Sequence, residues 1–109
     1  MSNSLKLTSR ARRDVEVLLR YISSRSKRGA DSWCRSFART LTSIENHPES
    51  FGVAPEDEDH DETIYQAIFK TRRGLPYRAL FVVRDDIVFV IHVRGCGQDR
   101  LDPDEVQFP

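Results

Sequence analysis

Two apolar runs in the C-terminal half of the 109-residue sequence, residues 75–83 and 87–93, lie on either side of the pair Asp85–Asp86. Both runs are rich in β-branched and aromatic residues, which is typical of strands. A two-residue turn at the aspartates predicts an antiparallel hairpin in which Arg84 pairs with Ile87. Because both faces of the second run are apolar for most of its length, we expect a central strand that is covered on both sides.

The register of this hairpin decides which polar side chains share a face. An uninterrupted ladder from the turn places Arg78 opposite Val93 and His92 opposite Ala79. In that register Arg78 lies on the face of the sheet opposite to Arg94. The two arginines then share a site only if a bulge near the glycine that follows Arg94 reorients the chain.

Two helices are predicted upstream of the hairpin. A short alternating strand over residues 4–8 comes first, followed by a helix over residues 9–24. A second helix begins at Gly29 or Asp31 and is stopped by Pro48. Their apolar positions recur at helical spacing, namely Ala11, Val15, Leu18, Leu19 and Ile22 in the first helix and Ala30, Trp33, Phe37, Leu41 and Ile44 in the second. The short connection, about five residues long, predicts an antiparallel helical hairpin.

The remaining segments complete an α+β fold class. Residues 48–62 carry a dense run of acidic residues, and because such like charges repel, we expect a loop that buries nothing. A further strand is predicted within residues 63–70, and a short helical turn over residues 102–105. The whole chain, residues 1–109, is thus expected to form one domain: an N-terminal strand and an antiparallel helical hairpin packed on a small, mainly antiparallel sheet.

Composition restricts the class of protein. The sequence is 39% apolar and has a formal net charge of zero, so it suits a small globular domain and its overall charge selects no partner. No apolar run approaches the length of a membrane span, and the first ten residues lack the apolar stretch of a secretory signal. With only Cys34 and Cys96, a reducing cytosol is expected. The sequence contains no spacing typical of a metal site or a nucleotide cofactor site.

The zero net charge conceals a segregation along the chain. Residues 1–50 carry ten Lys and Arg against five acids, whereas residues 51–70 carry six acids against Lys70 alone. Residues 71–100 are basic again, with six arginines against three aspartates. The pattern is compatible with a mixed solvated surface, or with a basic face for a polyanion or an acidic partner.

The order of strand, helical hairpin and sheet resembles that of the RelE/ParE family of type II toxin–antitoxin toxins, often labelled plasmid stabilisation proteins. The matching residues are the opening LKLTSRARRDVEVLLRYI, the exit of the second helix, IENHPESFGVAPE, and the closing PYRALFVVRDDIVFVIHVRGCGQDR. The resemblance extends from about Leu5 to Arg100. It implies a RelE/ParE-like fold and a cytoplasmic toxin that a cognate antitoxin protein neutralises.

The family includes metal-free ribonucleases that cleave mRNA on the ribosome. For such an activity the resemblance implies that Arg78 contacts phosphate and that Arg94 or Arg100 supplies a second cation. His92, the histidine near the basic end of the last strand, could then serve as an acid or base. However, residues 66–68 read Gln-Ala-Ile where catalytic members carry lysines, and the tail lacks their tyrosine or histidine. These departures favour inhibition of DNA gyrase, as in ParE-like members, over RelE-like mRNA cleavage.

Simpler interpretations remain open at each position. Arg78 can hold the sheet together through a salt bridge or a carbonyl contact, and His92 can be a packed strand histidine. The chain can also be a non-toxic binding module of the same fold.

Binding residues are expected among the exposed arginines. Those assigned to partner or nucleic-acid binding are Arg10, Arg13, Arg20, Arg72, Arg73 and Arg100. The implied partners are the antitoxin and either DNA gyrase or the ribosome and its mRNA, with no membrane, metal or small-molecule cofactor. The strand within residues 63–70 is a candidate edge for pairing with an antitoxin strand.

Overall fold

The computed structural model describes residues 4–109, in which two helices pack on a four-stranded sheet. In chain order the elements are strand β1 (Ser4–Leu7), helix α1 (Ser9–Arg25), helix α2 (Lys27–Asn46), strand β2 (Tyr65–Phe69), strand β3 (Tyr77–Arg84) and strand β4 (Ile87–Gly95). The strand order is β1-β4-β3-β2, with β1 parallel to β4 and the other two pairs antiparallel. The predicted α+β fold class is confirmed, and β4 is central as expected.

A single residue, Ser26, connects the two helices. Its N–H donates to the carbonyl oxygen of Ile22 and closes α1, while its Oγ accepts from the N–H of Gly29 and caps α2, at 2.8 and 2.9 Å. The expected start of α2 at Gly29 or Asp31, and the five-residue connection, are therefore wrong. Because Ser26 is extended (φ −161°, ψ 116°), one residue is enough to break one helix and begin the next.

Apolar side chains cover both faces of the sheet. On the helix face the buried residues include Trp33, Phe37, Ile44, Phe81, Val88, Val90 and Val93. On the opposite face, which we call the tail face, the buried residues are Ala54, Ile64, Leu80, Val82, Ile91, Leu101 and Val106. The segment between α2 and β2 and the C-terminal tail thus cover the tail face, and the two helices cover the opposite face.

The turn between β3 and β4 follows the prediction. Arg84 pairs with Ile87 across the two aspartates. Asp85 has a φ of 56°, in the left-handed region that aspartate tolerates better than most residues.

A β-bulge then shifts the register. Phe81 pairs with Val90, but Ile91 is an extra residue on β4 and has no partner in the ladder. Beyond it the successive pairs are Leu80–His92, Ala79–Val93 and Arg78–Arg94. The expected placement of Arg78 opposite Val93, and of His92 opposite Ala79, is therefore wrong, as is the placement of Arg78 and Arg94 on opposite faces. The bulge lies at Ile91 rather than near Gly95.

Strand β2 and the C-terminal turn lie where the sequence predicts them. Strand β2 is an edge strand, and Tyr65 at its start forms an isolated bridge with Val53. Residues 102–105 form one turn, in which the N–H of Glu105 donates to the carbonyl oxygen of Asp102 at 2.9 Å. Within residues 4–109 no helix is long and apolar enough to cross a membrane.

Candidate functional site

Arg78 forms a buried ion pair with Glu56 on the tail face of the sheet. Its Nη1 and Nη2 donate to the two carboxylate oxygens at 2.7 and 2.5 Å, and the side chains are only 7% and 0% exposed. Glu56 belongs to a short 3-10 helix, Pro55–Asp59, which begins with proline and turns this one acid inward. The expectation that the acidic segment buries nothing is therefore wrong.

Glu56 also holds the C-terminal tail. Its Oε2 accepts from the backbone N–H of Leu101 at 2.9 Å, so one carboxylate connects β3, the acidic segment and the tail. Burial by itself would raise the pKa of Glu56, but the hydrogen bonds from Arg78 and Leu101 outweigh it and lower the pKa to about 2. The carboxylate is thus ionised at neutral pH, so that both Glu56 and Arg78 are charged.

The ion pair with Glu56 occupies the atoms of Arg78 that would contact a phosphate. The guanidinium is bound at both Nη atoms by Glu56, and Nη1 also lies 3.3 Å from Oε1 of Gln66. A phosphate reaching Arg78 would have to displace a buried carboxylate. The salt bridge that the sequence left open as an alternative is present, whereas contact of Arg78 with phosphate stays a prediction.

His92 is fully buried next to the bulge. Its Nε2 accepts from the backbone N–H of Gln107 at 2.9 Å, so the proton of the neutral ring is on Nδ1, which lies 3.8 Å from Oδ2 of Asp14. Burial lowers the pKa of His92 to about 4, although the Asp14 carboxylate opposes the shift. The ring is therefore neutral at pH 7 and anchors the tail.

Asp14 connects helix α1 to the end of β4. Its Oδ1 accepts from Nε of Arg10 at 2.9 Å, and its Oδ2 accepts from the backbone N–H of Val93 at 3.0 Å. Val93 lies beyond Val90, the last residue of β4 that pairs with β1, so Asp14 binds β4 where the neighbouring strand has ended.

An open groove of about 380 Å³ runs between α1 and the end of β4; we call it the α1/β4 groove. Its lining residues are Arg10, Arg13, Asp14, Val17, Leu18, Val93, Arg94 and Gln98. Arg94 donates to the carbonyl oxygen of Asp99 at 2.9 Å, and its buried Nε has no hydrogen-bond partner within the described chain. Three arginines against one aspartate make the groove suitable for an anionic group.

The other arginines predicted to bind partners lie elsewhere. Arg20 is on the exposed side of α1, and Arg72 and Arg73 are exposed in the connection between β2 and β3. Arg100 is bound to the acidic segment: it forms ion pairs with Asp59 and, at 3.4 Å, with Glu58, and the hydrogen bond to Asp59 raises its pKa. Only Arg10 and Arg13 thus share a site with Arg94.

The structure gives no indication of a metal centre in the part of the chain it describes. Among residues 4–109 no group of three or more His, Cys, Asp or Glu side chains is placed to hold an ion. The ring of His60, which follows the acidic run, packs instead against Phe108, with 5.1 Å between the ring centroids.

Three functional positions were missed by the sequence analysis: Glu56, Asp14 and Gln107. Glu56 is one of six acids in residues 56–62, and only the proline before it hints at a different conformation. Asp14 had a usable signal, since an acid four residues after Arg10 on a helix favours an ion pair. Gln107 acts through its backbone N–H, which no residue pattern reveals.

Comparison with solved structures agrees with the fold. A solved structure described as the chromosomal ParDE TA system from P. aeruginosa matches with a TM-score of 0.62 and 15% identity, covering 86% of this chain and 96% of that chain. The free state of an E. coli RelE mutant, in which two arginines are replaced by alanine, matches with a TM-score of 0.56 and 19% identity, covering 89% and 86%. At these identities the likeness concerns the fold alone.

The sequence comparison extends this result to the family. No curated protein matches the sequence. The model of the family described as the ParE toxin of the type II toxin–antitoxin system, parDE, matches residues 5–100. The chain therefore belongs to the ParE toxin family of type II toxin–antitoxin systems, which implies a cognate antitoxin as its partner.

Proposed function

We propose that this protein is a cytoplasmic toxin that inhibits DNA gyrase by binding it, without a catalytic site of its own. The observation that carries the proposal is the buried Arg78–Glu56 pair. The strand arginine that a RelE-like ribonuclease would use for phosphate contact is already bound, at both Nη atoms, to an internal carboxylate.

The chemical requirements of mRNA cleavage also favour gyrase binding over ribonuclease activity. Attack by a ribose 2′-hydroxyl needs an accessible group that accepts a proton near neutral pH and a donor for the leaving oxygen. His92 is 0% exposed, and its pKa is lowered by burial to about 4. It therefore lacks both the access and the basicity that accepting a proton near neutral pH requires.

Exposed apolar residues on α1 support a protein target. Val17 and Tyr21 are 54% and 57% exposed and one helical turn apart, and the guanidinium of Arg25 lies 4.8 Å from the Tyr21 ring centroid. Val17 also lines the α1/β4 groove beside its arginines. Aromatic and arginine side chains next to exposed apolar ones are typical of protein–protein contact surfaces.

A second candidate function is ribosome-dependent mRNA cleavage. It is favoured by one observation: Arg94 shares an open groove with Arg10 and Arg13, in which Asp14 binds Arg10 and the Asp99 carbonyl oxygen binds Arg94. The third possibility, a non-toxic binding module, predicts antitoxin binding without any effect on growth.

A measurement of two incorporation rates separates these functions. After induced expression in a bacterium, we expect thymidine incorporation to fall before methionine incorporation within the first minutes, because gyrase inhibition stops replication first. The matched control is the same culture with the candidate antitoxin co-expressed, in which both rates should hold. An earlier fall in methionine incorporation would favour mRNA cleavage, and unchanged rates at high expression would leave the binding module.

A further inference from the structure

A cleft separates the first turns of α2 from the connection between β2 and β3, at the end of the molecule where the helical hairpin turns. It consists of two adjoining halves of about 350 Å³ each, which share Ser26, Gly29, Thr71 and Arg73 in their linings. We call it the hairpin cleft. Its volume is at the lower end of the range for ligand pockets.

One half of the hairpin cleft is apolar. Its lining includes Ile22, Trp33, Leu75 and Tyr77. Leu75 is 79% exposed among the described residues, although burial of a leucine side chain is favourable. The indole N–H of Trp33 is buried and has no hydrogen-bond partner within residues 4–109. This half of the cleft therefore presents apolar surface next to a polar donor that the chain leaves unpaired.

The other half of the hairpin cleft is basic. Arg28, Arg72 and Arg73 line it together with the hydroxyl residues Ser32 and Thr71. No acidic residue lines either half, and within residues 4–109 these arginines form no salt bridge. The first turn of α2 also contains no acid, so its positive helix end adds to the same field.

We propose that the hairpin cleft binds an acidic segment of a partner protein, with one apolar side chain in the apolar half and neighbouring carboxylates on the arginines. Arginine pairs with carboxylates through two parallel hydrogen bonds, and an apolar anchor beside them fixes the position of the segment. Gly29 lies in the lining of both halves, between the apolar and the basic surface.

The apolar half argues against single-stranded nucleic acid as the occupant. Bases bind such sites by stacking on exposed aromatic faces. Trp33 is only 2% exposed, because its ring stacks on Phe37 and is met edge-on by Phe69 and Tyr77, with centroids 5.0 to 5.7 Å apart. The proposal does not depend on gyrase as the target, since it concerns a different surface from the α1/β4 groove.

A titration of the full-length, ¹⁵N-labelled protein followed by NMR tests the proposal. The probe is the peptide N-acetyl-Leu-Glu-Glu-amide, and the matched peptides replace leucine by glycine or both glutamates by lysine. We expect saturable amide shifts confined to residues 22–33 and 71–77, with binding about tenfold weaker for either matched peptide. Equal binding of all three peptides, or the same shifts produced by an oligothymidine instead, would overturn the proposal.

Two surface variants sharpen the result without threatening the fold. Leu75→Asp should weaken binding of the acidic peptide about tenfold, and Arg72→Glu in combination with Arg73→Glu should weaken it at least as much. The controls are Ile68→Asp, at a residue that is 61% exposed on β2, and Arg39→Glu on the exposed side of α2. If the Leu75 variant titrates like the Ile68 variant, the cleft is not the binding site.

Discussion

Replacing Arg78 with alanine is expected to lower the free energy of unfolding by about 3–5 kcal/mol, because the substitution leaves a charged carboxylate buried without its partner. Glu56 is 0% exposed, and its pKa of about 2 shows that the folded protein holds it in the charged form. Loss of the pair also loosens the connection between β3 and the tail at Leu101. Urea unfolding followed by circular dichroism measures the change.

The chain offers a matched control for this prediction. Arg84 binds both carboxylate oxygens of Glu62 at 2.8 and 2.7 Å, with the same sequence separation, but the pair is exposed. Arg84→Ala should therefore cost much less than Arg78→Ala. The double variant Glu56→Gln, Arg78→Met removes both buried charges and should recover most of the lost stability. Equal losses for Arg78→Ala and Arg84→Ala would contradict the account of the buried pair.

This comparison also guards against a misinterpretation of toxicity data. An Arg78→Ala variant that fails to inhibit growth has two explanations, loss of a catalytic group and loss of the folded protein. The double variant separates them, because it lacks the guanidinium but is expected to fold. Growth inhibition by the double variant would support a structural role for Arg78.

Stability is expected to fall by about 3 kcal/mol as the pH is lowered from 6.5 to 4, through His92 alone. The unfolded chain binds a proton at this residue near pH 6.5, whereas burial lowers the pKa in the folded protein to about 4. Between these values the unfolded state holds more protons, so acid favours unfolding. Below pH 4.5 the lowered pKa of Glu56 adds a second loss in the same direction.

A variant that keeps the hydrogen bond but does not titrate isolates the histidine. His92→Gln retains a side-chain acceptor for the N–H of Gln107, to which His92 is bound at 2.9 Å. Between pH 6.5 and 5 the unfolding free energy of this variant should be nearly constant, while that of the unchanged protein falls. Parallel curves for the two proteins would show that His92 does not carry the pH dependence.

Local patterns in the sequence were sufficient for most of the fold. The apolar stripe through Ala30, Trp33 and Phe37 is buried as predicted, because helical spacing alone decides which side chains face the sheet. The turn at Asp85–Asp86 and the pairing of Arg84 with Ile87 follow equally directly from strand periodicity.

The wrong predictions of register and helix boundaries arise where one residue changes the positions of many others. The extra residue Ile91 moves His92 and Arg94 by one position relative to β3, so that Arg94 comes to lie opposite Arg78. A bulge has no sequence signature when the inserted residue is itself apolar and β-branched. Ser26 similarly combines two caps in one residue, which a search for separate helix ends does not find.

The candidate site was harder to predict for a related reason. Charge patterning places arginines on α1 and on β4, but it does not show which of them are occupied by internal carboxylates. Arg78 and Arg100 are bound to Glu56 and Asp59, whereas Arg94 lines an open groove. The difference depends on the path of the acidic segment, which is set by tertiary packing and not by its composition.

The most direct test of the proposed function is a supercoiling assay with purified DNA gyrase and relaxed plasmid. The account predicts that the purified protein inhibits supercoiling in proportion to its amount, as expected of an inhibitor that acts by binding and not by turnover. Prior addition of the cognate antitoxin should prevent this inhibition. Full supercoiling in the presence of excess protein, together with cleaved mRNA in a translating extract, would contradict it.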